Sequence, residues 1–187
     1  MKKTIEECFT NHINLAKRCA EEFQNDIESI ANTILVAIKN GNKIVFMGNG
    51  GSAADSQHLA AEFVGRFKLE RKPLPAIAFT TDSSILTAVG NDYGYDQLFL
   101  RQTEALAVKG DIIIGISTSG NSQNIALALD EGNKKGCKTI ALLGKDGGTI
   151  KDIAQQSIVI PSNDTARIQE MHIFIGHTLC ELVENNL

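Results

Sequence analysis

From residue 3 to residue 39 apolar side chains recur at intervals of three and four: Ile5, Cys8, Phe9, Ile13, Ala16 and Cys19, then Ile27, Ile30, Ile34, Leu35 and Ile38. A stripe with that spacing is the mark of amphipathic helix, and Asn25-Asp26 between the two runs predicts a break or cap, hence two helices. After the Gly41-Asn42 turn the pattern changes to KIVFMG, a continuous apolar run closed by glycine that predicts a buried strand. Gly48 to Ser52 then turn the chain into a helix containing AADSQHLAAEFVGRF. The alternation repeats: PAIAFTT as strand, DSSILTAV as helix, DIIIGIS as strand, SQNIALALDEGNKKG as a helix ended at Gly136, and KTIALLG as strand. A weaker strand, SIVIP, precedes a long helix that starts near Asp164 or Thr165 and runs to the C-terminus. Such alternation predicts an α/β fold, a parallel sheet with helices on both faces, supplemented by the N-terminal helices and the long C-terminal one. No linker, repeat or low-complexity segment divides the 187 residues, so one domain spanning 1–187 is expected.

Composition narrows the function classes. The chain is 43% hydrophobic and 21% charged, with a formal charge of -4 and no run of lysine or arginine. That balance argues against a phosphate-backbone footprint, so no nucleic-acid partner is expected. The start, MKKTIEECFTNHI, is charged and amphipathic where a signal core would be apolar, and no window of ~18 apolar residues follows, so no membrane partner is expected. Cys8, Cys19, Cys137 and Cys180 lie far apart without a C-x-x-C pair, and free thiols in a reducing, cytoplasmic setting are the simplest reading.

In an open α/β sheet ligands bind where the loops after the strands converge, and two such loops carry unusual chemistry. Ser117, Thr118, Ser119 and Ser122 crowd hydroxyls around Gly120 directly before a helix, an arrangement suited to phosphate. The plain alternative is a helix cap, for which serine is favoured without any ligand. In the other loop Gly48, Gly50 and Ala53 match the dinucleotide pattern G-x-G-x-x-G/A. That reading also needs an acid about 20 residues on at the end of the second strand, whereas Glu70 precedes that strand and Asp82 comes too late. The glycines therefore suit close approach of a compact sugar phosphate.

His58 and Glu62, spaced i,i+4, share one helix face and can address one ligand, or can simply be a solvated or structural pair. The C-terminal helix, TARIQEMHIFIGHTLCELVENNL, sets Gln169, His172 and His177 in an apolar element where a histidine needs a partner. Gln169 and His177 are roughly 12 Å apart along the helix axis. Either their side chains converge, or different subunits supply them.

Taken together, GNGGSAADSQHLAAEFVGR, AVGND at 88–92, GISTSGNS and RIQEMH with its later histidine resemble the phosphoheptose isomerases of the SIS (sugar isomerase) family over nearly the whole chain. The resemblance implies a flavodoxin-like SIS domain assembled as a homotetramer, with residues 3–39 taking part in oligomer packing. It also implies that Asn49, Gly50, Gly51, Ser52, Asn91 and Asp92 contact a sugar phosphate, and that Ser117, Thr118, Ser119 and Ser122 hold its phosphate. His58, Glu62, Gln169 and His177 match the family's zinc ligands, with Glu62 and Gln169 also touching substrate. The implied reaction converts sedoheptulose 7-phosphate to D-glycero-D-manno-heptose 7-phosphate, with Glu62 as base and His177 as acid, for bacterial heptose and lipopolysaccharide synthesis. Ala166 departs from the family, many members of which carry aspartate there; Asp164 lies two residues earlier. The alternative is a non-enzymatic SIS tetramer like the DnaA initiator-associating protein, which lacks the equivalents of Glu62 and His177.

Overall fold

The computed structural model describes all residues, Met1–Leu187. Its elements run α1 (Lys2–Glu22), α2 (Gln24–Lys39), β1 (Ile44–Gly48), α3 (Gly51–Val64), β2 (Ala76–Ala78), α4 (Ser83–Tyr93), α5 (Leu98–Leu106), β3 (Ile112–Ser117), α6 (Gln123–Lys134), β4 (Lys138–Gly144), β5 (Gln156–Ile160) and α7 (Thr165–Asn185). The strands form one sheet in the order β2-β1-β3-β4-β5, every neighbouring pair parallel. This is the flavodoxin-like order, and the chain reverses direction across the sheet between β1 and β3. The loops after those two strands therefore stand side by side.

Alternate residues of each strand feed opposite cores. Ile44, Phe46, Ile112, Ile114, Ile116, Ile140 and Leu142 pack with residues of α1, α2, α3 and α7. Val45, Met47, Ile113, Ala141 and Leu143 face α5 and α6 on the other side. A strand buried on both faces favours apolar side chains at every position, which is why these sequences are almost continuously apolar, with buried Ser117 and Thr139 as hydrogen-bonded exceptions near strand ends. Each fully buried isoleucine contributes roughly 1.5–3 kcal/mol by leaving water. Cys19, Cys137 and Cys180 are buried, Cys8 is exposed, and no two of them pair. No helix is long and apolar enough to cross a membrane.

Two expectations need correction. The α1–α2 break falls at Phe23, not at Asn25-Asp26. Phe23 packs on the larger core and redirects the chain, while Asp26 lies in the first turn of α2, where its charge complements the helix dipole. The segment beyond Val89, for which the apolar pattern predicts no element, completes α4 and forms α5. β2 is only three residues long, following Pro75 at the sheet edge.

Candidate active site

The β1 and β3 loops meet through side chains. Asn49, just past β1, exchanges two amide hydrogen bonds with Asn124 in the first turn of α6, at 3.0 and 2.9 Å, and accepts a third from the Tyr95 hydroxyl at 2.8 Å. In the β3 loop the Ser117 hydroxyl lies 2.9 Å from that of Ser122 and 3.4 Å from that of Ser119. Ser117 Oγ also accepts from the Gly120 N–H, and Ser119 Oγ from the Asn121 N–H. Ser122 stands at the N-cap of α6, yet its side chain makes no capping bond. Its hydroxyl is turned into the loop instead, so the plain capping explanation fails for the residue best placed to satisfy it.

Gly120 adopts a left-handed φ of 69° and lies so close to the turn after β4 that a Cβ would stand 2.7 Å from the Gly148 nitrogen. The Ile150 N–H to the Gly120 carbonyl (3.0 Å) and the Thr149 N–H to Asn121 Oδ1 (3.1 Å) lash the two loops together. The hydroxyl cluster is thus held on a braced backbone.

A second group lies on the seam between α3 and α7. Gly176 allows the helices to approach closely, since a Cβ there would stand 2.6 Å from Leu59 Cδ1. Next to it His177 points its Nε2 at His58 Nε2, 2.8 Å away, and Glu62 Oε1 is 3.4 Å from the same His58 nitrogen. Donor atoms of His58, Glu62 and His177 all fall within 4.8 Å of one another. Zinc ligands at ~2.0–2.1 Å from one ion stand about 3.3 Å apart on a tetrahedron, so this two-imidazole, one-carboxylate set fits a borderline divalent metal. The Phe67 ring stacks on His177 with centroids 5.5 Å apart and a 29° interplanar angle.

The seam also carries groups whose acidity is shifted by their surroundings. Desolvation and the neighbouring His58 push the His177 pKa down, against the opposing pull of Glu62 and Asp55. A neutral imidazole with a free nitrogen is the form that ligates metal or exchanges protons near neutrality. Asp55, one turn before His58, is raised by its own desolvation, partly offset by the hydrogen bond it accepts from Gln169 Nε2 at 3.1 Å and by the two imidazoles.

The SIS domain family model matches residues 8–144. The protein from Citrifermentans bemidjiense named phosphoheptose isomerase is 58% identical over 176 residues, 94% of this chain and 92% of its own. This chain belongs to the phosphoheptose isomerase family of SIS proteins. Solved phosphoheptose isomerase structures from Neisseria gonorrhoeae (38% identical, TM-score 0.94, covering 98% of each chain) and Francisella tularensis (36%, 0.95, 98% of this chain and 97% of that one) share the fold. Membership makes the chain an enzyme, a sugar phosphate isomerase.

Of the site residues that the sequence resemblance implies, some lie together within the chain and others apart. Gln169 and His177 both reach α3, Gln169 at its first turn beside Gly51 and Asp55, His177 two turns on beside His58. Ser52 is buried in that first turn, and its carbonyl accepts from the Ser56 hydroxyl. Thr118 is half-buried beside the serines. Asn91 and Asp92 are exposed at the end of α4, bonded to each other at 2.8 Å and joined within the chain to neither loop nor seam. His172 belongs to the core: fully buried, it donates from Nε2 to the Leu143 carbonyl at 2.9 Å. Asp164 Oδ1 caps α7 by accepting from Ala166 N and Arg167 N, so it is committed to the helix and does not take the place of the missing aspartate at 166.

Asp55, Tyr95 and Asn124 were not visible as site residues in the apolar pattern. Asp55 stands three residues before His58 and shares its face, a spacing that could have flagged it. Tyr95 carries no such signal.

Proposed function

We propose that this chain isomerises sedoheptulose 7-phosphate to D-glycero-D-manno-heptose 7-phosphate in the cytoplasm, as a step of bacterial heptose synthesis for lipopolysaccharide or a related glycan. The observation that carries the reading is the meeting of His58, Glu62 and His177 on the seam between α7 and α3, the helix that opens directly from the β1 loop. The phosphate is read as bound by Ser117, Thr118, Ser119 and Ser122, and the sugar as lying across Asn49, Gly50, Gly51 and Ser52 toward the seam. Asn91 and Asp92 are read as sugar contacts, and Gln169 as touching both sugar and metal.

A ketose becomes an aldose when a proton leaves C1 and another reaches C2 through an enediol. Glu62 takes the C1 proton, while His177 gives a proton to the C2 oxygen as its carbonyl opens. Glu62 then returns its proton to C2, and His177 recovers one from the C1 oxygen, leaving the aldehyde and both side chains as they began. Zinc held by His58, Glu62, Gln169 and His177 would supply Lewis-acid polarisation of the sugar carbonyl or orient it. The reading as an initiator-associating binding protein would leave the Glu62–His177 meeting without a use.

Self-association into a tetramer is part of the proposal. Ile5, Phe9 and Ile13 are 57%, 67% and 48% exposed along one face of α1, and Phe174 on α7 is 61% exposed. Large apolar side chains left exposed in a row on α1 and on α7 suit a surface that another copy covers.

The test is incubation of zinc-loaded protein with sedoheptulose 7-phosphate in D2O, followed by NMR. An aldose product is expected, carrying deuterium at C2 to the extent that the proton held on Glu62 exchanges with solvent before it is returned. No aldose after prolonged incubation would refute the proposal.

A further inference from the structure

The segment after α3, from Gly65 to Lys72, holds none of the residues discussed as binding or reacting, yet it closes the seam. Glu184, near the end of α7, has a side chain only 2% exposed. Its carboxylate accepts the backbone N–H groups of Phe67 (3.0 Å), Lys68 (2.7 Å) and Leu69 (2.6 Å) and the Nε of Arg71 (2.9 Å). Arg71 then turns back to α3: Nη2 donates to the Glu62 carbonyl at 2.8 Å, and Nη1 to the carbonyls of Phe63 (2.9 Å) and Lys72 (3.1 Å).

The last carbonyls of a helix have no partner inside it, and a cation there also meets the negative end of the dipole. Arg71 therefore caps α3 at the very residue that bears the seam carboxylate. The same clamp fixes the backbone of Phe67, whose ring lies on His177. A buried ion pair is weak evidence for stability, since apolar residues of equal volume often serve as well. What an apolar replacement could not do is hold a carbonyl of α3, the 67–69 backbone and α7 in one fixed relation.

We propose that Arg71 and Glu184 are positioning residues for the acid–base pair, setting Glu62 through the end of α3 and His177 through the Phe67 ring. This rests on the reading of Glu62 and His177 as that pair. Misplacement of reacting groups by about 1 Å can cost ~100-fold in rate, so a clamp this far from substrate is enough to matter.

The experiment uses full-length Arg71→Gln, Arg71→Lys and Phe67→Leu. Histidine side-chain NMR of the zinc-free proteins reports His177, and steady-state kinetics with sedoheptulose 7-phosphate and zinc report the reaction. In Arg71→Gln the His177 ring resonances should move from their wild-type positions and kcat should fall ~10–100-fold, the usual effect of losing a supporting partner, with KM little changed. Arg71→Lys keeps the charge but not the planar fork and should recover only part of both. Phe67→Leu should lower kcat alone, and it carries the test if Arg71→Gln does not fold. Unmoved His177 resonances with wild-type kcat in a folded Arg71 variant, or wild-type kcat in Phe67→Leu, would overturn the proposal even if the melting temperature fell. Shifted His177 resonances in a variant whose wild-type parent shows no turnover would sink the isomerase reading while sustaining the positioning role.

Discussion

His172 offers a quantitative test of how the α7 histidines divide between core and site. Its ring is fully buried, Nε2 donates to the Leu143 carbonyl, and Nδ1 has no partner. Burial is the dominant effect and the Leu143 bond only partly opposes it, lowering the pKa from 6.5 to about 4. In the unfolded chain the imidazole titrates near 6.5. Between those values the unfolded state binds a proton that the folded state refuses, so stability is complete above pH 6.5 and drains away as pH falls toward 4. At ~1.4 kcal/mol per pH unit the full loss is about 3 kcal/mol, and roughly 2 kcal/mol of it is gone by pH 5. The comparison is with His172→Gln, which can still donate to the carbonyl but cannot titrate. Urea unfolding at a series of pH values from 7.5 to 4.5, followed by circular dichroism at one protein concentration, gives the stability difference between the two proteins. Wild type should lose roughly 2 kcal/mol relative to the variant between pH 7 and pH 5. A difference that stays constant across that range would refute the assignment of a buried, neutral His172.

The remaining predictions concern the site and the assembly. Gly51→Ala places a Cβ 2.6 Å from Gln169 Oε1, a flexible tip that can swing aside. The protein should fold normally while zinc affinity and kcat/KM fall ~10–100-fold, as measured by chelator competition and steady-state kinetics. Gly120→Ala meets both a left-handed φ, costing ~1–2 kcal/mol, and the backbone of the turn after β4. Titration calorimetry with inorganic phosphate should show weakened binding, and unchanged affinity would remove the serine loop from the phosphate site. Phe9→Asp should shift the light-scattering mass below that of a tetramer, and an unaltered mass would free α1 from the interface.

The strands are legible because burial on both faces leaves an unbroken apolar run, as in DIIIGIS, and the helices where an apolar stripe or a capping residue marks them. Helix α5 is not predicted because LFLRQTEAL, nine residues after a 3-10 turn, starts from Gln97 without a side-chain cap, whereas the equally short DSSILTAV opens on the capping residue Asp82. Local spacing could place His58 and Glu62 on one face, because both belong to α3. It could not show which histidine of α7 meets them. His172 and His177 lie in the same apolar stretch but about 140° apart around the helix, one turned to β4 and the other to α3. Nor could it reveal the Arg71–Glu184 clamp, whose partners come from distant parts of the chain and meet only after α3 and α7 dock. Motif resemblance names Gln169 and His177 with His58 and Glu62 as one set; in the structure His177 meets His58 and Glu62, while Gln169 bonds to Asp55 one turn earlier on α3.

The measurement that bears most directly on the function is turnover of sedoheptulose 7-phosphate by wild type and Glu62→Gln, each with and without zinc, with aldose product followed by NMR. If Glu62 is the base, wild type forms the aldose and Glu62→Gln loses ~100- to 10,000-fold in kcat, the range expected for removal of a general base. Turnover in Glu62→Gln equal to wild type would contradict the account at its centre.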